Sequence, residues 1–560
     1  MKKSLFLFLL STSISVFAQE NKFGKIFGGL ESNSQWYLND KEQQTVHPED
    51  PLRSNNYLFL NYNLNKWSAG LQVESYEKNA LLNYNPKYEG TNVATYFVNY
   101  KDKTFDLTAG YFYEQFGSGL ILRTWEDRAL GINNALRGVR AIIRPTEYLT
   151  FTGLFGQQRT GFDVADSKIH GFNTEVDFAN LFKFETSQLS GGLSFVGRDE
   201  KIDVVNPDFD NMTNAISYRL NFSHNSFYIS SELDTKSRDG VLANISNDLS
   251  TKLVKTGNAF LVNMGYTKKG LGIDATFRRL ENMTFYSERI PEKFSAGTTG
   301  LIYNDKLMNY TPGLTKQQHY NLANIYVYQA QSKVDFAGED VMKAGEIGGQ
   351  IDVFYDAKKG SFLGGKYGTK FSFNSSRWYN LKGDYIFSPS NYETKNFAGG
   401  DKYYADYSLE VTKRFSPKII SGLTYMNQFY NARFLQGDPY EIDTNILGAE
   451  TTYNFTKSRS IRGVLEHMWA DVDKKNWAGG TLEFNANSKM SFYVSDLYNY
   501  GNDKSERRIH YYNVGGSYRR GSSRIALNYG RQRGGLVCVG GVCRVVPESS
   551  GVSLSLNTSF

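Results

Sequence analysis

The feature that most constrains this chain is a two-residue alternation of apolar and polar side chains that recurs along most of its length. In residues 403–411 the odd positions are aromatic or aliphatic and the even positions are polar, and residues 216–223 and 271–278 alternate in the same way. Successive side chains of a β-strand point to opposite faces, so each segment predicts a strand with one apolar and one polar wall. A soluble β-sandwich also alternates, so the pattern alone does not identify the class.

Three further features favour a membrane barrel. The segments run for about ten residues, close to the roughly 9–11 that a tilted strand needs to cross a bilayer. Short and long connections alternate, and tyrosines recur near segment ends, as aromatic girdles at two membrane interfaces require. These tyrosines are Tyr57, Tyr62, Tyr111, Tyr113, Tyr403, Tyr511 and Tyr512. The composition agrees, because 15% aromatic residues and only 2 cysteines exclude a disordered chain and a disulfide-stapled scaffold. The sequence therefore predicts an all-β, transmembrane, antiparallel up-and-down β-barrel.

Eleven short connections can be counted between the alternating segments. They lie near residues 64–66, 102–103, 145–147, 179–184, 224–225, 268–270, 357–360, 416–417, 457–459, 487–488 and 520–521. With a first strand from about Gly24 and a last strand from Gly551 to Phe560, they predict about 24 strands, within a range of about 20–26. An even number gives short periplasmic turns, long extracellular loops and two periplasmic termini. The longest loop runs from about Asn282 to Ala344. Because no soluble plug domain precedes the first strand, the filling of so wide a lumen must come from such loops or from another protein.

The N-terminus predicts export. Residues 1–18 combine Lys2 and Lys3, an apolar run over residues 5–10 and a small residue, Ala18, at the cleavage position, which is the organisation of a secretory signal peptide. The remaining residues 19–560 are predicted to form a single barrel domain in the cell outer membrane, in contact with its lipid. The formal net charge of +6 is too small and too scattered to predict a nucleic-acid partner.

The last ten residues predict how the barrel is inserted. Leu554, Leu556 and Phe560 share one face of a terminal strand that ends in an aromatic carboxylate. This arrangement resembles the C-terminal insertion signal of Gram-negative outer-membrane barrels, which the barrel-assembly machinery reads by strand addition. These three residues are therefore the predicted insertion signal, and that machinery is a predicted partner during insertion.

The two cysteines predict a disulfide in the last outer loop. If the intervening Gly-Gly pair forms a two-residue turn, Val539 pairs with Val542, and Cys538 lies directly opposite Cys543. The cysteines then occupy a non-hydrogen-bonded position, where the two chains are closest and a disulfide can form. Oxidation is expected in an exported protein. Zinc binding is not favoured, because no histidine lies nearby and tetrahedral zinc needs four ligands.

The sequence contains no recognisable catalytic or cofactor motif. Its six histidines are scattered without metal-ligand spacing, and no Gly-x-Ser-x-Gly elbow or phosphate-binding loop is found. We therefore predict no enzyme activity and assign no catalytic, cofactor-binding or metal-binding residue. A hydrolase with a Ser–His or Asp–His set on the barrel rim is the remaining enzymatic alternative.

A candidate lumen constriction follows the strand predicted over residues 104–114. The charged side chains proposed for it, within residues 117–140, are Arg123, Glu126, Asp127, Arg128, Arg137 and Arg140. If this segment folds inward, the charges narrow the lumen and bias which solutes pass, as rings of charge do in pores. The alternative is an outer loop whose charges pair with one another in solvent. Residues 126–136 are predicted to form a short helix.

Four features resemble the uncharacterised, porin-like outer-membrane β-barrel proteins of Bacteroidota-type bacteria. They are the Lys-Lys signal peptide, the strands rich in Tyr, Phe and Asn, the Cys-Val-Gly-Gly-Val-Cys hairpin and the Ser-Phe terminus. The resemblance covers the mature chain and brings no catalytic residues with it. A TonB-dependent transporter is less favoured, because neither a plug nor a TonB box is found near Gln19. Two functions remain open: a channel for solutes, or a non-conducting accessory barrel in an outer-membrane assembly or secretion complex. The predicted lumen-facing residues Arg219, Asp274, Asp406 and Glu410 suit the channel, although any wet interior needs such residues.

Overall fold

Twenty-four antiparallel strands form one closed barrel in this computed structural model. The structure describes residues 23–77, 81, 87–129, 131–201, 210–240, 253–289, 292–293, 301–302, 306–539 and 542–560. The barrel strands are β1 (Lys25–Leu38), β2 (Leu52–Leu64), β3 (Trp67–Glu77), β4 (Gly90–Lys101), β5 (Phe105–Phe112), β6 (Leu136–Thr146), β7 (Leu149–Thr160), β8 (Lys168–Asp177), β9 (Ser187–Asp199), β10 (Met212–His224), β11 (Phe227–Gly240), β12 (Val254–Lys268), β13 (Leu271–Glu281), β14 (Gly345–Ala357), β15 (Thr369–Ile386), β16 (Asn391–Arg414), β17 (Ile419–Asn431), β18 (Glu441–Asn454), β19 (Ser460–Ala470), β20 (Trp477–Asn485), β21 (Met490–Tyr498), β22 (Asn513–Arg520), β23 (Ser523–Gln532) and β24 (Ser549–Ser559). The predicted all-β barrel and its strand number are confirmed.

The barrel closes between its first and last strands. β1 pairs with β24 in a register that runs from Gly29 opposite Ser559 to Leu38 opposite Ser550. Closure satisfies the backbone groups of both edges, which an open sheet would leave unpaired in hydrocarbon.

The eleven predicted short turns all lie at one end of the barrel, and the long loops lie at the other. Five of the turns contain only two residues: 65–66, 147–148, 225–226, 269–270 and 521–522. Asn65, Asn225, Gly270 and Gly521 have positive φ angles of 54°, 51°, 82° and 59°. Asn and Gly tolerate the left-handed region that tight hairpin turns use. The longest loop joins β13 to β14 and spans residues 282–344, as predicted.

The connections between the barrel strands contain short helices and short strands. The helices are α1 (Phe178–Phe182), α2 (Ala432–Leu435) and the 3-10 turns Leu322–Asn324 and Ser505–Arg507. The short strands are Gln115–Phe116, Leu122–Arg123, Glu126–Asp127, Ile132–Asn133, Asp163–Val164, Glu292–Lys293, Leu301–Ile302, Asp335–Gly338, Val341–Lys343, Gly535–Val539 and Val542–Val546. Among the described residues, no helix is both long and apolar enough to cross a membrane.

The two faces of the wall follow the predicted alternation. On β16, Tyr407 and Leu409 are 44% and 50% exposed on the outside, whereas Asp406 and Ser408 are buried on the inside. Cross-strand partners share a face, so the register carries this polarity from strand to strand around the barrel.

The girdle prediction is wrong for Tyr57, Tyr111, Tyr403 and Tyr511, which are all buried. Tyr57 lies on the lumen side, Tyr111 packs edge-on against Tyr96, and connecting loops cover Tyr403 and Tyr511. The outer face exposes other aromatic residues instead, including Trp36, Trp67, Tyr96 and Tyr218.

The two chain ends and the cysteine hairpin can be compared with their predictions only in part. The predicted signal peptide, residues 1–18, lies outside the described residues. Leu554 and Leu556 lie on β24, on the outward parity, and Phe560 follows the strand end. The predicted register of Cys538 opposite Cys543 and Val539 opposite Val542 is confirmed. The disulfide itself stays a prediction.

Candidate functional site

Residues 113–135 are here called the first inner loop, and its described residues fold into the barrel. Two short hairpins make up the loop: Gln115–Phe116 pairs with Leu122–Arg123, and Glu126–Asp127 pairs with Ile132–Asn133. The predicted helix over residues 126–136 is therefore wrong. Gly131 lies at the turn of the second hairpin with φ of 62°, a conformation that a right-handed helix does not contain.

Arg128 ties the first inner loop to the nearby wall strands β1 and β3. Its Nη1 donates to Glu31 Oε2 on β1 (3.1 Å), its Nε to Glu126 Oε1 (3.2 Å), and its Nη2 to Gln72 Oε1 on β3 (3.3 Å). The guanidinium also lies 5.0 Å from the centre of the Tyr57 ring. The charges of this loop thus pair with lumen-facing wall residues, as the inward alternative requires, and not only with one another in solvent.

Arg123 and Arg140 also have partners. The Arg123 guanidinium lies 3.8 Å from the centre of the Tyr310 ring, a cation–π contact. Arg140, on the inner face of β6, pairs with Glu114 (3.4 Å) and Asp106 (3.6 Å). Since every one of these cations has a partner, the loop presents a network of paired charges and not a free positive ring.

Arg137 does not belong to this group. It shares the parity of Val139, which is 47% exposed on the outer face, and it points to the opposite side of β6 from Arg140. The prediction that Arg137 belongs to the lumen constriction is therefore wrong. Asp127 lies in the second hairpin, opposite Ile132.

Residues 282–344 are here called the second inner loop, and its described parts also fold into the lumen and bond to the first inner loop. Arg123 N donates to Met308 O (2.8 Å), and Tyr310 N donates to Gly119 O (2.8 Å). Together the described parts of the two loops form a plug built from the barrel's own connections. This is one of the two sources of lumen filling that the sequence left open.

The plug is packed against the wall like a protein core. In one cluster Phe116, Leu120, Ile121 and Met308 pack with the wall residues Leu154, Ile169, Val196 and Leu280. In another, Tyr320, Leu322, Tyr326 and Tyr328 pack with Trp378, Tyr404, Met426 and Met468. Part of the inner wall that the plug covers is therefore apolar.

Glu346 on β14 is the most heavily bonded anchor of the second inner loop. Its Oε1 accepts from Arg278 Nε on β13 (3.0 Å), and its Oε2 accepts from the Tyr328 hydroxyl and from Gln331 N (2.7 Å). Glu346 and Arg278 are 0% and 1% exposed. One buried ion pair on the wall thus holds two residues of the loop.

Further polar anchors continue around the wall. Gln428 Nε2 on β17 donates to Tyr326 O (2.7 Å). Glu466 on β19 accepts from Asn321 Nδ2 (3.1 Å) and from Leu322 N (2.8 Å). Buried bonds of this kind satisfy the loop backbone, which would otherwise be costly to bury.

The tip of the second inner loop reaches close to the short-turn end. Lys316 Nζ donates to Ser372 Oγ (3.1 Å) and pairs with Glu410 (3.5 Å). His319 Nε2 lies 3.5 Å from Glu450 Oε2 on β18. These wall residues lie near the ends of β15, β16 and β18 at which the short turns connect, so the plug spans most of the height of the barrel.

His319 makes this anchor sensitive to pH. Its hydrogen bond to Glu450 raises the pKa of His319 above its ordinary value of about 6.5, with the nearby Glu410 in the same direction and Arg462 opposing it. A raised pKa means that the bond stabilises the anchored tip fully at pH below the ordinary value and is lost as pH rises through the raised value. We expect brief increases in conductance to become more frequent as the pH is raised from about 5 to about 9, and the variant H319Q to lose this pH dependence. Single-channel recordings measure the frequency of these increases. H47Q, on an outer loop, is the control, and an unchanged pH response in H319Q would contradict the assignment.

The plug leaves one sector of the wall accessible. Lumen-facing residues under the plug are buried, such as Asn374, Ser376, Ser408, Gln428 and Thr444, none of which exceeds 1% exposure. Most lumen-facing residues on β21–β24 and β1 are at least partly exposed, although Gly29, Ser549 and Gly551 near the strand ends are buried. The partly exposed ones in the middle of these strands are Ser491, Tyr493, Ser495, Asn513, Gly515, Ser517, Ala526, Asn528, Ser553, Ser555, Asn557, Glu31, Asn33 and Gln35. We call this group the open sector. It is lined by small and polar side chains.

Two cavities of about 500 Å³ each lie along the inner wall. One lies at the short-turn end beside Lys316, Glu410 and Phe354. The other, called here the lumen recess, is enclosed by β2–β6 and roofed by Glu126 and Arg128 of the first inner loop. The recess adjoins the open sector around the barrel wall, because β1 of the open sector pairs with β2 of the recess.

The sequence prediction missed the residues that hold the second inner loop. Glu346, Gln428 and Glu466 are ordinary polar strand residues in the sequence, and only the fold brings the loop to them. A clue was present in the loop itself, because Tyr310, Tyr320, Tyr326 and Tyr328 give a nominally exposed segment the aromatic content of a core.

The family of unknown function DUF6029 matches the chain over residues 1–560. The chain belongs to this family. No curated protein sequence is similar enough to this DUF6029 chain to count as a relative.

Several solved structures have a similar architecture. The P pilus usher (PapC) translocation pore is 9% identical, with a TM-score of 0.41, covering 96% of this chain and 99% of that chain. The siderophore receptor PirA from Pseudomonas aeruginosa is 9% identical, with a TM-score of 0.41, covering 97% and 81%. OccK3 (OpdO) from Pseudomonas aeruginosa is 11% identical, with a TM-score of 0.35, covering 80% and 96%. The likeness of this DUF6029 chain to these proteins extends to the β-barrel fold alone.

Proposed function

We propose that this protein is a porin-like channel of the outer membrane, through which small hydrophilic solutes diffuse along the open sector. The observation that carries the proposal is the contrast between the two sides of the lumen. The plug buries the wall from β14 to β19, whereas the wall from β21 to β1 keeps accessible serine, asparagine and glycine residues. Small polar linings beside fixed charges are what a hydrated, selective passage needs.

The alternative, a non-conducting accessory barrel, does not require an open path through the lumen. A scaffold needs no accessible inner wall, and a plug that filled the whole cross-section would serve it equally well. In planar bilayers the accessory barrel would be silent and would co-purify with a stoichiometric partner, whereas the channel gives steady ohmic steps without one.

Narrowing the open sector tests the proposal. Ser517, Ala526 and Ser555 lie side by side on neighbouring strands, facing the lumen. We expect the double variant A526W/S555W to lower single-channel conductance to roughly half or less, because two indole rings fill part of the passage. A449W, on the exposed outer face of β18, places the same ring in lipid and is the matched control. Unaltered conductance in A526W/S555W would contradict the proposal.

A further inference from the structure

The lumen recess combines an aromatic face with polar side chains, and neither has a partner among the described residues. Phe97 on β4 lies across Gly70 on β3, and a Cβ on Gly70 would lie 2.2 Å from Phe97 Cε1. Because Gly70 has no side chain, one face of the Phe97 ring lies against the wall, and the other face borders the recess. Phe97 has no aromatic or cationic partner among the described side chains.

Uncommitted hydrogen-bonding groups surround this ring. Asn61 lies opposite Gly70, which in turn lies opposite Phe97, so the amide and the ring are separated by one glycine. Ser68 and Thr95 line the same recess on adjacent positions of the inner face. The side chains of Asn61, Ser68 and Thr95 make no hydrogen bond to another described residue, which leaves amide and hydroxyl groups available to a ligand.

The charged groups of the recess are already neutralised. Arg128 pairs with Glu126 and Glu31, and Arg140 and Lys101 both pair with Asp106 (3.6 and 3.5 Å). An ionic ligand would have to compete with these pairs. The free groups therefore favour a neutral ligand.

From this arrangement we infer that the lumen recess is a binding site for neutral carbohydrates. A pyranose ring has an apolar face of C–H groups and a rim of hydroxyl groups. Its apolar face complements the electron-rich face of Phe97, and its hydroxyl groups complement the amide and hydroxyl groups around the ring. A volume of about 500 Å³ accommodates one or two sugar rings. The inference rests on the proposed channel, because the recess lies beside the proposed passage and would select what enters it.

Binding is measured on the full-length barrel in detergent, independently of conductance. Saturation-transfer NMR and calorimetry with maltose, cellobiose and lactose are expected to show saturable binding of at least one disaccharide. F97L keeps the apolar volume but removes the aromatic face, so it is expected to weaken that binding about five-fold or more. N61A is expected to weaken it further. F172L, which changes an outer-face ring that stacks on Phe151, is the matched control and leaves binding unchanged.

Three results would overturn the inference: no binding of any of the three disaccharides, equal binding by F97L and the unmodified protein, or tighter binding of cellobionate, the anionic counterpart, than of cellobiose. If the same preparation conducts while any of these holds, the carbohydrate site fails and the channel stands. If disaccharides bind and F97L weakens them while no conductance is seen, the site stands and the channel fails.

Discussion

Removing residues 312–331 of the second inner loop is expected to raise single-channel conductance about three-fold or more. A lumen of 24 strands is wider than that of porins with 16–18 strands, which already leave an aqueous channel, so the plug is the main obstacle to current. The structure offers a clean excision, because Thr311 Oγ1 and Ser332 Oγ lie 3.1 Å apart. Residues 312–331 can therefore be replaced by a short Gly-Ser linker without stretching the chain.

A second excision controls for loop loss as such. Gly535 and Val546 face each other across the hairpin of the last outer loop, so residues 536–545 can be replaced by the same linker. This variant is expected to keep the conductance of the unmodified protein. Equal conductance in both excision variants would mean that the second inner loop does not obstruct the lumen.

The variant E346A is expected to lose about 3–5 kcal/mol of the free energy of unfolding, because it leaves Arg278 charged and unpaired in a buried position. The Tyr328 hydroxyl and Gln331 N lose their acceptor at the same time, so the plug should loosen and the conductance should rise. Urea unfolding monitored by heat-modifiable electrophoretic mobility measures the loss of stability.

Two variants separate the buried pair from a simple loss of charge. R278M/E346L removes both members and is expected to be closer in stability to the unmodified protein than E346A is. E483A breaks the exposed pair of Glu483 with Arg462 and is expected to cost less than about 1 kcal/mol. A loss in E346A as small as in E483A would contradict the role of Glu346 as an anchor.

Strand positions could be predicted from the sequence because the polarity of a strand is a local property. Each residue of β16 faces lipid or lumen according to whether its position is odd or even. Turns such as Asn65-Lys66 can be recognised from their residue types. The bounds of the loop over residues 282–344 follow from the same rule, since they are what remains between two strands.

The path of the inner loops could not be predicted, because it depends on partners far away in sequence. Tyr326 is held by Gln428, and Asn321 is held by Glu466, and neither contact leaves a trace in local composition. The helix predicted over residues 126–136 failed for the same reason. The Ala and Leu content of this segment favours a helix, but in the hairpin that forms instead Arg128 donates hydrogen bonds to Glu31 and Gln72 on the wall. The outward orientation of Arg137, in contrast, could have been taken from its parity with Val139.

Thiol accessibility tests the central claim, a closed barrel with a plug on one side and an open sector on the other. In a C538S/C543S background, single cysteines replace Ser555 in the open sector, Leu554 on the adjacent lipid face and Thr444 under the plug. The account predicts that, in lipid vesicles, a charged maleimide labels S555C rapidly and labels neither L554C nor T444C. Fast labelling of T444C together with protection of S555C would contradict it.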